Sequence, residues 1–118
     1  MKHVPSRLLL SALGLAAFAI VAVKAEAAPQ TVFHLTIVNQ KFEPDTLTVP
    51  AGQALKIMVK NNDAIPAEFE SGDLKREVVI PGKTELPVHL RPLEPGTYSF
   101  LNDFHPSSKG SLIVKKED

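Results

Sequence analysis

The sequence predicts an all-β protein, a sandwich of seven or eight short strands, and three observations support this. Apolar and polar residues alternate with a period of two in most segments beyond residue 30. Proline, glycine, asparagine and aspartate interrupt these segments at short intervals. No segment beyond residue 30 shows a convincing helical period of 3.6 residues. Short alternating strands with frequent turns are typical of an antiparallel β-sandwich.

The N-terminal segment is predicted to be a signal peptide. Two basic residues precede an apolar run from Leu8 to Val23, and Ala25-Glu26-Ala27 has the small-x-small pattern of a cleavage site. The apolar run has about 16 residues, fewer than the roughly 20 that a spanning helix needs. We therefore predict a signal peptide at residues 1–27 and one exported domain at residues 28–118, with an uncleaved N-terminal anchor as the alternative.

Charge and cysteine content exclude several functions. Without residues 1–27, the domain keeps 10 basic and 12 acidic residues, a net charge of about −2, which argues against nucleic acid as a partner. The chain has no cysteine, so its stability must come from the β core and not from disulfides. The absence of cysteine also excludes a thiolate-ligated blue copper centre.

The predicted strands follow one another without a linker or an internal repeat. In residues 31–39, Phe33, Leu35 and Ile37 share one face, and in residues 54–61, Leu55, Ile57 and Val59 point inward. A turn at Glu43-Pro44-Asp45 separates the first of these strands from the short strand at residues 46–49. The remaining segments with strand character are residues 46–49, 68–71, 76–80 and 84–90 and the two arms of the segment 96–114.

Two short motifs could carry chemistry. Asp103 and His105 lie two residues apart in the polar loop of the segment 96–114. Glu68 and Glu70 have the same spacing in an extended segment, so both carboxylates project to one face while Phe69 turns to the core. Three carboxylates and one imidazole form a hard, mostly oxygen site, suited to Fe(II), Fe(III), Mn(II) or tetragonal Cu(II) and poorly suited to Cu(I).

Each of these residues also has a purely structural interpretation. His105 fits a solvated or capping side chain, and Asp103 fits ordinary turn chemistry. Glu68 and Glu70 fit the solvent face of an edge strand, where charges discourage pairing with other chains. The sequence has no nucleophile elbow, no phosphate-binding glycine loop and no zinc-ligand spacing. A metal-free binding or assembly module is therefore the alternative from a different functional class.

The order of core and turn residues resembles that of the cupredoxin family. The positions that carry the resemblance are Phe42, Pro44, Leu47, Val49, Ala51-Gly52, Asn61, Asp63, Pro81-Gly82 and Gly96-Thr97-Tyr98-Ser99-Phe100. The resemblance implies a Greek-key β-sandwich in which the loop before the last strand wraps a copper ion. At the ligand positions only His105 is retained, because Asn102 replaces the cysteine and Lys109 stands near the axial methionine. The segment 66–70 stands where the first histidine belongs.

Carboxylates in place of the first histidine are similar to the cupredoxin-like components of bacterial iron uptake systems. By that resemblance Glu68, Glu70, Asp103 and His105 would be the metal ligands, although Ala67 takes the position of the first histidine unless a bulge shifts the strand. The resemblance implies a periplasmic protein that binds copper or iron and assists the oxidation or transfer of ferrous iron. Its implied partners are an iron permease and a periplasmic iron-binding protein, with membrane contact only through a partner. The physiological metal, the electron acceptor, any enzymatic activity and the oligomeric state stay open.

Overall fold

The structure is a computed structural model that describes residues 30–117 and three isolated positions, 14, 17 and 19. Apart from those positions, the predicted signal peptide and its cleavage site lie outside the described residues. Within the described part of the chain, no helix is long and apolar enough to cross a membrane.

In residues 30–117, nine strands form two sheets that pack face to face. The four-stranded sheet has the order β2-β1-β4-β7, and the five-stranded sheet has the order β3-β9-β8-β5-β6. The strands are β1 (Thr31–Val38), β2 (Lys41–Glu43), β3 (Thr46–Pro50), β4 (Leu55–Asn61), β5 (Ala67–Ser71), β6 (Arg76–Ile80), β7 (Glu85–Leu90), β8 (Gly96–Asn102) and β9 (Lys109–Lys115). The predicted all-β sandwich is confirmed.

The structure corrects two details of the predicted strands. The strand that was not predicted is β2, which pairs antiparallel with β1 and includes Glu43, the first residue of the predicted turn. The sheets are also not purely antiparallel, because β1 runs parallel to β4 and β3 runs parallel to β9. Alternation in a sequence shows which face of a strand is buried, but it carries no information about the direction of the neighbouring strand.

The core lies between the two sheets and is organised around three phenylalanines. Phe42 contacts Phe69 and Phe100 edge-on, with ring centroids 6.2 Å and 4.9 Å away, and Phe69 stacks on Phe100 at 5.0 Å. All three are buried. Since Phe69 is the central residue of β5, this packing fixes the two neighbouring glutamates on the opposite, outer face of the five-stranded sheet.

Candidate metal centre

Strand β5 is an interior strand, flanked by β8 on one side and β6 on the other. The interpretation of Glu68 and Glu70 as charges on an edge strand is therefore wrong, because β6 forms that edge of the sheet. The pairing of β5 with β6 is unbroken from Ala67 to Ser71, so no bulge shifts the strand. Glu68 and Glu70 thus share the outer face, whereas Ala67, at the position of the first cupredoxin histidine, is buried on the core side.

The strand register brings acidic residues from three segments to this outer face. Glu70 is paired directly with Glu77 of β6. On the other side, β8 pairs with β5 up to Asn102, and the next residue, Asp103, donates its backbone N–H to the carbonyl oxygen of Glu68 at 3.0 Å. Directly opposed residues in a sheet have Cβ atoms about 5 Å apart. Carboxylates that are distant in sequence therefore become neighbours.

Three of the four predicted ligands converge. Glu68, Glu70 and Asp103 each offer a carboxylate oxygen, and these oxygens all lie within 4.8 Å of one another. We call these three residues the carboxylate cluster. Glu68 is buried, with 6% of its surface exposed, Glu70 is half-buried and Asp103 is exposed. The Oε1 atom of Glu68 is buried and has no hydrogen-bond partner within the described part of the chain. An unsatisfied buried polar atom is costly in a folded protein.

The electrostatics of the cluster favour protonation or a bound cation. A hydrogen bond to Glu77 that forms when one of the two carboxyls is protonated, burial, and the negative charges of Glu77, Asp103 and Glu70 raise the pKa of Glu68 from 4.5 to about 7. Hydrogen bonding to Asp103, burial, and the charges of Asp103 and Glu77 also raise the pKa of Glu70. Among residues 30–117, no positive group offsets these effects on either pKa. Two carboxylates in one site can avoid repulsion by sharing a proton or by coordinating a metal ion.

His105 lies apart from the carboxylate cluster. Its Nδ1 is 2.9 Å from the hydroxyl oxygen of Ser108 and 3.2 Å from that of Ser107. Its backbone N–H donates to the carbonyl oxygen of Asn102 at 2.9 Å, and its carbonyl oxygen accepts from the N–H of Ser108 at the same distance. The ring is therefore bonded within its own loop. In this arrangement it does not join the group of oxygens, and its role as a ligand stays a prediction.

Asn102, at the position of the cupredoxin cysteine, is a structural residue. It is 1% exposed. Its Oδ1 accepts hydrogen bonds from the N–H groups of Glu68 at 3.0 Å and Phe104 at 3.2 Å, and its Nδ2 donates to the carbonyl oxygen of Gln40 at 3.2 Å. The family's copper centre does not fit here, because the side chain that replaces the thiolate is an amide committed to three backbone groups.

Glu77 was not among the predicted ligands, but it lies beside the carboxylate cluster. The signal that could have found it is the hairpin formed by residues 68–71 and 76–80, because antiparallel pairing across a short turn places Glu77 opposite Glu70. Lys109, predicted near the position of the axial methionine, is exposed at the start of β9 and pairs with Leu101 of β8.

Comparison with known proteins gives a family, a sequence relative and several structures of similar fold. A family model described as a cupredoxin-like domain matches residues 10–114. An uncharacterised protein of Rickettsia prowazekii (strain Madrid E) is 34% identical over 80 residues, or 68% of this chain and 64% of that protein. The chain therefore spans less than two thirds of the length of this curated relative.

Two solved structures illustrate the similarity of fold. A mutant of amicyanin in its reduced Cu(I) form is 22% identical with a TM-score of 0.59, over 77% of this chain and 88% of that one. A purple cupredoxin from Nitrosopumilus maritimus is 22% identical with a TM-score of 0.53, over 70% of this chain and 99% of that one. Similarity at this level of identity shows the fold alone, so the metal must be argued from the residues of this chain.

Proposed function

This chain belongs to the family of cupredoxin-like domains, and from that premise we propose that it is a metal-binding module whose cation occupies the carboxylate cluster. In this proposal the cation lies on the outer face of the five-stranded sheet, beside β5. The position of the cupredoxin cysteine keeps only a structural role, filled by the hydrogen bonds of Asn102.

One observation carries the proposal, the unsatisfied Oε1 of Glu68. A surface carboxylate obtains its hydrogen bonds from water, but this atom is buried and has no hydrogen-bond partner among the residues that the structure describes. Two further carboxylates lie within 4.8 Å, so negative charge is concentrated beside this buried oxygen. A cation would satisfy the buried oxygen and neutralise the repulsion in a single step.

The donor atoms favour a hard cation. Carboxylate oxygens suit Fe(II), Fe(III) and Mn(II), and with an added imidazole they suit tetragonal Cu(II). Cu(I) prefers thiolate and thioether ligands, which the carboxylate cluster lacks. Iron or oxidised copper is therefore the better match, and His105 would join the site only if its ring left the serine hydroxyls.

A preference for iron fits the role in iron import that the resemblance to components of bacterial iron uptake systems implies. In this proposal the exported protein holds iron or copper in the periplasm, next to an iron permease and a periplasmic iron-binding protein, and it assists the oxidation or transfer of ferrous iron. Oxidation of Fe(II) to Fe(III) releases one electron, so it would need a separate one-electron acceptor. Holding and transferring the ion requires only the ligands described above.

An anaerobic titration of the purified metal-free protein tests the proposal. Calorimetry with MnCl₂ would report a hard divalent cation, and electron paramagnetic resonance with Cu(II) would report the donor set. We expect binding of one ion per chain, and we expect Glu68→Gln to weaken it at least about tenfold, since it removes a buried ligand charge. The matched control is Glu85→Gln, an exposed glutamate at the start of β7 in the other sheet.

The outcomes separate the ligands as well as the functions. Equal affinity in Glu68→Gln and Glu85→Gln would place the ion elsewhere and overturn the proposal. A Cu(II) signal that loses its nitrogen coupling in His105→Ala would add the imidazole to the site, whereas an unchanged signal would leave a site made only of carboxylates.

A metal-free binding or assembly module is the second candidate. The observation in its favour is the hydrogen bonding at the family's ligand positions, where Asn102 bonds three backbone groups and His105 bonds two serines. This candidate predicts that the protein binds neither Mn(II) nor Cu(II) above the level of the Glu68→Gln variant.

A further inference from the structure

We propose that Glu77 is a fourth carboxylate ligand, supplied by the edge strand β6, which makes the site selective for trivalent over divalent cations. This inference rests on the proposed function, since it assigns one more ligand to the same site. Glu77 lies outside the group of oxygens that are mutually within 4.8 Å. It must therefore move a short distance to complete the coordination of an ion.

The register places Glu77 beside two members of the carboxylate cluster. It is the direct cross-strand partner of Glu70, and it lies diagonally from Glu68, whose own partner on β6 is Val79. Direct partners in a sheet have Cβ atoms about 5 Å apart and diagonal neighbours about 7–8 Å apart, within the reach of a glutamate side chain. The carboxyl of Glu77 already interacts with that of Glu68, whose pKa it raises.

The position of Glu77 allows the required movement. Strand β6 is the edge of its sheet, and Glu77 is exposed. An exposed side chain can change rotamer without disturbing a packed core. Glu68, in contrast, is fixed by burial and has an unsatisfied oxygen. Around an ion held by Glu68, the side chain of Glu77 would move in as the fourth ligand.

Charge explains why the fourth ligand would select for a trivalent ion. The carboxylate cluster carries a formal charge of −3 when it is ionised, and Glu77 raises this to −4. Coulomb energy scales with the product of the charges, so each added carboxylate favours a trivalent ion more than a divalent ion of similar size. Ligand charge count tunes affinity in known oxygen-ligated sites in the same way.

The test compares Tb(III), a trivalent oxygen-seeking probe, with Mn(II) by calorimetry on the full-length protein. We expect Glu77→Gln to weaken Tb(III) binding by about tenfold or more and Mn(II) binding by only about threefold. Glu77→Asp, which keeps the charge on a shorter side chain, should recover part of the Tb(III) affinity. The control is again Glu85→Gln, exposed on the other sheet.

The outcomes distinguish this inference from the proposed function. If the unmodified protein binds both ions and Glu77→Gln behaves like Glu85→Gln, Glu77 is not a ligand and the three-carboxylate site stands. If Glu77→Gln weakens the binding of Tb(III) and of Mn(II) by the same factor, the proposed selectivity for trivalent ions is wrong. If the unmodified protein binds neither ion, the proposed function fails, and this inference fails with it.

Discussion

Glu68 is the residue on which the candidate site depends, because it combines burial with an unsatisfied oxygen. Its position was predictable, since two glutamates around Phe69 in an extended segment must share a face. Its burial was not predictable, because that depends on which strands flank β5. The pattern of two glutamates around a phenylalanine is the same whether the carboxylates are solvated or one of them is buried.

The raised pKa of Glu68 predicts how the metal-free protein responds to pH. Because this pKa rises from 4.5 in the unfolded chain to about 7 in the folded protein, the folded state binds more protons across that window. Stability should therefore be highest below about pH 4.5 with respect to this group and should fall as the pH rises towards 7. The pKa of Glu70 is also raised, so this residue too makes the folded protein less stable as the pH rises.

Thermal unfolding in the presence of a chelator, at pH steps from about 5 to 8, measures this response. The Glu68→Gln variant should unfold at a higher temperature than the unmodified protein at pH 8, and its melting temperature should depend less on pH. A melting temperature that falls equally steeply in both proteins would show that Glu68 is not the titrating group.

His105 illustrates the limit of prediction at a single residue. The spacing of Asp103 and His105 suggested one common site, but that holds only if their loop is extended. In the structure the loop folds back through the backbone hydrogen bonds of His105, and Ser107 and Ser108 both approach its Nδ1. Side-chain direction in a loop follows from such local bonds, which spacing alone does not encode.

For whole strands, the alternation of residues predicted which face of each strand is buried, but it did not predict which strands are neighbours in a sheet. The predicted inward residues of β4 (Leu55, Ile57 and Val59) are all buried. The parallel pairing of β1 with β4 and the interior position of β5 could not be predicted from alternation, because both depend on contacts between distant segments. The candidate site depends on this missing information, since its carboxylates come from β5 and the residue after β8, with Glu77 of β6 beside them.

Strand β9 offers a stability prediction, because its Gly110 lies against the aromatic core. A Cβ atom at this position would lie 2.2 Å from a ring atom of Phe100 and 3.0 Å from the carbonyl oxygen of Asp45. Phe100 is packed between Phe42 and Phe69 and cannot withdraw freely. We expect Gly110→Ala to destabilise the protein by about 1–3 kcal/mol, the usual range for overpacking.

Urea denaturation measures this effect, and the chain provides a matched control. A Cβ atom at Gly72 would meet nothing within 4 Å, so Gly72→Ala should change the free energy of unfolding by no more than about 0.5 kcal/mol. If the two variants unfold at the same urea concentration, the close packing of β9 against Phe100 does not limit stability.

Across the whole molecule, the candidate site links metal binding to the stability of the fold. The carboxylate cluster joins β5 to the loop after β8, and Glu77 would add the edge strand β6. The chain has no cysteine, so no disulfide holds these segments together. A bound cation would therefore act as a cross-link within one sheet, in a protein that otherwise depends on its β core.

We expect metal to stabilise the protein increasingly as the pH rises, because the carboxyls must lose their protons to bind it. For Glu68 this loss occurs around pH 7, so the gain in melting temperature on adding MnCl₂ should be small at pH 5.5 and large at pH 8. At a free metal concentration 100 times Kd the gain in stability is about 2.7 kcal/mol, or roughly 10–20 °C in melting temperature for a domain of this size.

Differential scanning calorimetry at both pH values, with and without MnCl₂, measures this gain, and Glu68→Gln should reduce it. A gain in melting temperature that is constant or shrinks from pH 5.5 to 8 would contradict coordination by these carboxylates. Protons compete with the metal for these ligands, so the metal affinity must increase as the pH rises.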